Sequence, residues 1–165
     1  MNSAFLQDPI TPIERPSITP IDAGAQGLLE DWLGEPGFAV DRETFGDGPN
    51  LDAMRGEGGQ RLYFSGHTDE VPPSDEAAGM SPPFQPIKTD GLMRGRGASD
   101  RKGAIAAFVA VMAWANRGTP LALLITNDDE DPGIDSTKRM LVWLEEKGIT
   151  FIYCEVLHRY GQNGS

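Results

Sequence analysis

Three stretches of this sequence share one design, and that repetition constrains the fold more than any other feature. Leu62-Tyr-Phe-Ser-Gly-His-Thr-Asp69 is an apolar run that stops at glycine and is followed by His67 and, two residues on, Asp69. Gly95-Arg-Gly-Ala-Ser-Asp100 follows a shorter run and ends in an acid. Leu121-Ala-Leu-Leu-Ile-Thr-Asn-Asp-Asp-Glu130 ends the most strand-like run of the chain in consecutive acids. Ligands of open α/β sheets collect beyond the carboxyl ends of the strands. A fold that brings the three ends to one edge therefore gathers His67, Asp69, Asp100, Asp129 and Glu130.

The remaining pattern supports such a fold. After a Pro-rich start over residues 13–22, Asp22 is placed to cap a helix over about 23–33, which Gly34, Pro36 and Gly37 end. Strands are expected over 38–45 and 50–55, with a turn at Gly46 to Gly48 and a hairpin turn over 56–59 before the strand 61–65. Residues 71–86 form a long loop rich in proline and acid, a length that usually goes with function or disorder. Residues 89–93 make a turn and short strand. The nearly uniform apolar run inside 102–116 predicts a helix covered on most sides. Leu121–Thr126, a helix over 136–147 capped by Asp135 and stopped by Gly148, and a strand over 150–156 complete the series. Strands alternating with helices at this spacing predict a layered α/β domain with a largely parallel sheet.

Composition narrows the function classes. A length of 165 residues suits one domain or part of a larger one. Fourteen Lys and Arg against 25 Asp and Glu give a net charge of −11, which argues against nucleic acid or an anionic membrane as partner, since either needs a basic surface. The single cysteine, Cys154, lies among apolar neighbours; it excludes an internal disulfide framework, reads as a structural thiol and suits the cytoplasm. No secretory signal is visible in residues 1–12, and the longest apolar stretch, 104–115, is too short to cross a bilayer.

The residue types suit a metal. Histidine with aspartate and glutamate matches zinc, with cobalt or manganese as alternatives. Asp69 is spaced to hold the other imidazole nitrogen of His67. Of the adjacent acids, one of Asp129 and Glu130 can bind metal while the other moves a proton. Each feature also has a plainer reading: a surface His–Asp pair, a glycine turn, a set of solvated acids near a helix N-terminus. Their common topological edge favours the metal, because the four acids over 128–131 need compensation and a divalent cation supplies it.

At these residues the sequence resembles the M20 family of metallopeptidases, and within it the bacterial succinyl-diaminopimelate desuccinylase branch. The similarity runs from about Ile13 to Val156. It rests on Arg15-Pro-Ser-Ile-Thr-Pro-Ile-Asp-Ala-Gly24, Gly66-His-Thr-Asp69, Pro82-Pro-Phe84, Asp90-Gly91, Gly95-Arg-Gly-Ala98, Asp100-Arg-Lys-Gly103 and Leu124-Ile-Thr126 with the following acids. The resemblance implies a three-layer αβα zinc-peptidase-like catalytic domain, here incomplete, with the lid and dimerisation domain absent. It implies two zinc ions bridged by Asp100, with His67 on one and Glu130 on the other, Asp69 as orienting residue and Asp129 as general base. The implied reaction is hydrolysis of a small N-acyl amino acid, N-succinyl-diaminopimelate, to succinate and diaminopimelate, in lysine and cell-wall biosynthesis. Family members are implied to be homodimers.

The departures are specific. The family carries Glu at the base position, and Asp129 is one methylene shorter. Where the family reads Val-Gly-Glu-Pro after the last strand, this chain has Glu155-Val-Leu-His158, so that His158 is either a substitute metal ligand or part of an unrelated tail over 157–165. Residues 1–156 are thus expected to be a partial catalytic domain, followed by a tail from a truncated or frameshifted reading frame. Two other functions stay open: a non-catalytic fragment or interaction module of the same fold, and an M20 deacetylase or peptidase with a different N-acyl amino acid or peptide substrate. A sheet that ends early is expected to expose an edge and an apolar face.

Overall fold

A computed structural model describes residues 11–58, 61–73, 82–115, 118–130 and 136–156. The elements in chain order are α1 (Ala25–Gly34), β1 (Ala39–Phe45), β2 (Gly48–Arg55), β3 (Arg61–His67), β4 (Ile87–Thr89), β5 (Leu92–Arg94), α2 (Lys102–Trp114), β6 (Leu121–Thr126), α3 (Thr137–Glu146) and β7 (Phe151–Val156). His158, Asp131 and Asp135 lie outside the described residues.

Strand β6 organises the layers. All six of its residues are buried, which only a central strand covered on both faces can achieve. Leu121, Leu123 and Ile125 face one way and pack with Leu29, Trp32 and Leu33 of α1, Leu51 and Ala53 of β2, and Ile105, Phe108, Val109 and Met112 of α2. Ala122 and Leu124 face the other way and pack with Tyr63 of β3 and with Met140 and Leu144 of α3. The period of two along one strand thus splits the core into two halves, with helices on both sides of the sheet. This is the three-layer α/β arrangement.

Among the described residues the main sheet has five strands in the order β1-β2-β6-β3-β7. It is mixed, not largely parallel. β3 pairs in parallel with β6 and with β7, whereas β1–β2 and β2–β6 are antiparallel. The reason is that β6 inserts between β2 and β3. The glycines after β2 therefore do not make a hairpin turn between paired strands. Gly56, at φ +81°, instead passes so close to Thr119 and Pro120 that a Cβ would lie 2.7 Å from the Thr119 carbonyl oxygen.

Three further expectations change. The helix α1 starts at Ala25, yet Asp22 still serves its first turn, its Oδ1 accepting the Gln26 N–H at 3.0 Å. Helix α2 ends at Trp114 and is covered on one side only: Ala107, Val111 and Trp114 form an exposed stripe, Trp114 being 81% exposed. The short strand before Asp100 belongs to a separate hairpin, β4–β5, so Asp100 lies in the loop before α2, not at the end of a strand of the main sheet. Helix α3 does stop at Gly148. There φ is +69°, and the N–H groups of Gly148 and Ile149 return to the carbonyls of Glu145 and Leu144, each at 2.9 Å. Phe151, Tyr153 and Val156 of the edge strand β7 are exposed. No helix among the described residues is long and apolar enough to cross a membrane.

Candidate functional site

Parallel pairing sets the site's register. His67, the last residue of β3, stands opposite Thr126, the last residue of β6, so the segments that follow both strands leave the sheet side by side. Thr68 continues the contact: its N–H bonds the Thr126 carbonyl at 3.0 Å and its hydroxyl the Asn127 side-chain oxygen at 3.2 Å. His67, Thr68 and Asp69 are almost completely buried.

The imidazole of His67 is held at Nδ1. Nδ1 lies 2.9 Å from the backbone oxygen of Asp69 and 3.2 Å from its Oδ1. Both partners are acceptors, so Nδ1 carries the proton and Nε2 presents its lone pair. Nε2 faces Glu130 Oε1 at 3.6 Å. Burial disfavours the charged ring, but the bond and charge of Asp69 outweigh it and move the His67 pKa upward. Asp69 moves downward: burial raises it, and the bonds from His67, from the Thr19 hydroxyl and from the Glu130 N–H together prevail.

Two donor atoms that can share a cation, His67 Nε2 and Glu130 Oε1, thus stand at a separation comparable to that of neighbouring ligands on a tetrahedral zinc bound at roughly 2.0–2.2 Å. In that respect the residues fit a metal. The set is incomplete, however. Asp100 Oδ1 lies 3.4 Å from Arg101 Nε, and among the described residues no group of three or more His, Cys, Asp or Glu side chains is arranged to hold a metal ion. Asp129 is turned to hydroxyls, its Oδ2 accepting from Thr126 at 2.7 Å and its Oδ1 from Thr137 at 3.4 Å. Part of the acidic cluster is therefore compensated by protein donors. Cys154 is half-buried at the second core half, and burial raises its thiol pKa, as suits a structural residue.

Sequence reasoning singles out the run Arg15 to Pro20 only as part of a resemblance, and the structure shows what it touches. Ile18 pairs with Glu70, Ser17 Oγ bonds the Thr68 carbonyl, and Thr19 Oγ1 donates to Asp69 Oδ2 at 2.7 Å. Lys102 and Glu70 form a buried ion pair beneath this segment, Lys102 Nζ also bonding the Arg15 carbonyl at 2.6 Å. The spacing Asp-x-Lys-Gly is the available signal for Lys102. Nothing local signals Thr19.

Known proteins match this chain in sequence and in fold. The profile of peptidase family M20/M25/M40 matches residues 63–163, more than half of the chain. The chain belongs to this family. A succinyl-diaminopimelate desuccinylase of Maricaulis maris (strain MCS10) is 47% identical over 148 residues, covering 87% of this M20 chain and 38% of the relative. One from Alkalilimnicola ehrlichii is 45% identical over 150 residues, covering 87% and 40%. The M20 chain therefore spans about two fifths of the length of the curated relatives it matches. Among solved structures, the M20 family metallo-carboxypeptidase Sso-CP2 of Sulfolobus solfataricus superposes with a TM-score of 0.76 at 18% identity, over 91% of this chain and 37% of that one. Human carnosine dipeptidase 1 superposes with a TM-score of 0.75 at 18% identity, over 90% and 37%. These two show that the fold is shared.

Proposed function

We propose that this M20 chain carries part of the catalytic site of a zinc-dependent amide hydrolase whose substrate is N-succinyl-diaminopimelate. The observation that carries the reading is the clamp on His67, with Nδ1 fixed by Asp69 and Nε2 facing the Glu130 carboxylate at 3.6 Å. The desuccinylase relatives supply the substrate class. His67 and Glu130 would hold metal, with Asp100 as a third ligand once released from Arg101, and His158 as a candidate further ligand. Bound zinc would polarise the amide carbonyl and acidify water. Asp69 keeps the ring of His67 in the tautomer that leaves Nε2 free to bind. Asp129 takes a proton from the water that adds to the carbonyl and passes it to the departing amine nitrogen, giving succinate and diaminopimelate. For that it must lie within roughly 2.6–3.2 Å of its proton, and the shorter Asp arm, already engaged by Thr126 and Thr137, makes this the weakest part of the site. Residues 1–156 act as the partial catalytic domain in this reading, and residues 157–165 as a tail.

Zinc titration calorimetry tests the reading. Micromolar binding by the chain, lost in His67→Ala and in Glu130→Ala, supports it; no binding by the wild type overturns it. A second reading, a binding module without turnover, draws on Asp100 being paired with Arg101. Zinc binding without any release of succinate from N-succinyl-diaminopimelate favours that second reading. Turnover of N-acetylornithine in preference to the succinyl compound would move the substrate to another M20 branch.

A further inference from the structure

We propose that Arg101 is a specificity-determining residue of the site: its guanidinium takes a carboxylate of the substrate that lies beyond the reacting amide. This rests on the hydrolase reading above and names the group that recognises an anionic end of the substrate.

The loop that carries Asp100 is the basic part of an acidic chain. Residues 88–102 hold five of the fourteen Lys and Arg, at Lys88, Arg94, Arg96, Arg101 and Lys102, against two acids, Asp90 and Asp100. The segments after β3 and β6 are acidic, with Asp69, Glu70, Asp128, Asp129 and Glu130. An approaching carboxylate is repelled by such acids unless a cation receives it.

Most of the loop's cations are placed for other work. Lys102 is buried, pairs with Glu70 Oε1 at 3.0 Å and donates to the Arg15 carbonyl at 2.6 Å. Lys88 and Arg94 lie on the hairpin β4–β5, outside the main sheet. The charge of Arg96 acts on Glu70, which Lys102 already pairs. Arg101 differs. It stands directly before α2, with its side chain 18% exposed, and its charge reaches the His67 ring, where it opposes the upward pull of Asp69.

The guanidinium is also loosely held. Nε lies 3.4 Å from Oδ1 of its own neighbour, Asp100, and this buried atom completes no hydrogen bond among the described residues. A contact of that kind is weak. A carboxylate that meets two N–H groups of the fork at once makes the stronger pair and displaces it. The end of α2 that follows Arg101 is the positive end of the helix dipole, which favours the same anion.

The test uses the whole chain with zinc present, and calorimetry at constant ionic strength. Succinate is the probe, and succinamide, the uncharged diamide of the same length, is the control. Wild type is expected to bind succinate and not succinamide. Arg101→Met, which keeps a long unbranched side chain without the charge, is expected to bind succinate about ten-fold more weakly or worse, as the loss of one charge-assisted pair requires. Arg101→Lys, which keeps the charge but not the fork, should fall between the two. Equal succinate affinity in Arg101→Met and wild type overturns the proposal, because the anion would then sit on zinc or on another cation. Wild type that binds no succinate, or binds succinamide as tightly, overturns it as well. Should Arg101→Met not fold, the Nε–H signal of Arg101 in arginine-¹⁵N-labelled wild type decides, assigned by its absence in Arg101→Lys. Succinate must shift that signal saturably, and an unmoved signal overturns the proposal. Zinc titration is read separately. Wild type that binds no zinc sinks the hydrolase reading, while the succinate ratio still tells whether Arg101 is a carboxylate site. Zinc binding with no effect of Arg101 on succinate sinks this proposal alone.

Discussion

Lys102 Nζ lies 3.0 Å from Glu70 Oε1, and the two side chains are 1% and 2% exposed. This buried pair joins the segment after β3 to the first turn of α2. Burial pushes the Glu70 carboxyl up and the Lys102 ammonium down, each offset only in part by the other's charge. Such a pair adds little net stability, but removing one partner strands the other. Lys102→Met is therefore expected to cost about 3–5 kcal/mol in urea unfolding, and Glu70→Leu combined with Lys102→Met to recover most of it. Because a stranded Glu70 favours its neutral form in the fold, the loss in Lys102→Met should shrink as the pH falls through the raised carboxyl range and grow as it rises.

The glycine motif has the same pair as its cause. Gly97 has φ +77°, and a Cβ there would overlap Glu70 Oε1 and lie 3.1 Å from Lys102 Cδ. Gly97→Ala combines a left-handed backbone with a collision against a buried ion pair that has no room to retreat. It should lower the thermal midpoint clearly and loosen the 95–101 loop in hydrogen exchange. Gly91→Ala, also at positive φ but with nothing within 4 Å of the Cβ, should cost only the backbone strain, about 1 kcal/mol.

Asp52 offers a test of pH dependence away from the site. It is 1% exposed on β2, on the α3 face of the sheet, with Tyr63 on the far side of β6. Neither of its oxygens completes a well-formed hydrogen bond among the described residues, and burial, offset only in part by the nearby Tyr63 hydroxyl, raises its pKa from 3.8 to about 6. The folded value lies above the unfolded one, so ionising Asp52 costs stability. The cost is absent below pH 3.8, grows between 3.8 and about 6, and is complete above that. Asp52→Asn should therefore stabilise the fold at neutral pH by about 2–3 kcal/mol and lose that advantage in acid, as read from urea midpoints at the two conditions.

Helix α2 separates buried from exposed apolar residues within one turn. Met112 is 4% exposed and Trp114 81%. Met112→Ala should cost about 2–5 kcal/mol, whereas Trp114→Gln should stay within about 0.5 kcal/mol. Equal losses in the two variants would mean that the stripe of Ala107, Val111 and Trp114 is covered in solution.

Much of this protein is legible in its sequence where the signal is local. Leu121–Thr126 has clear bounds because an unbroken apolar run, closed by threonine and set between Pro120 and Asn127, allows little but a buried strand. Gly148 marks a helix stop because its positive φ suits glycine. His67 and Asp69 belong together because residues two apart on extended backbone point the same way. The apolar character of α2 is equally plain, but not which side the sheet covers: periodicity is silent when nearly every position is apolar.

The tertiary structure decided everything that depends on distant partners. β6 inserts between β2 and β3, which makes the sheet mixed and moves Gly56 from a hairpin to a close passage beside Thr119. Asp100 arrives from a loop before α2 and engages Arg101, so that the third of the three matching runs does not end a strand of the main sheet. Thr19 meets Asp69 across 50 residues and Lys102 meets the Arg15 carbonyl across 87. Turn chemistry and side-chain period act over a few residues and are written in the sequence. Hydrogen bonds between segments this far apart form only where packing of the two core halves brings their backbones together, and no local pattern encodes that meeting.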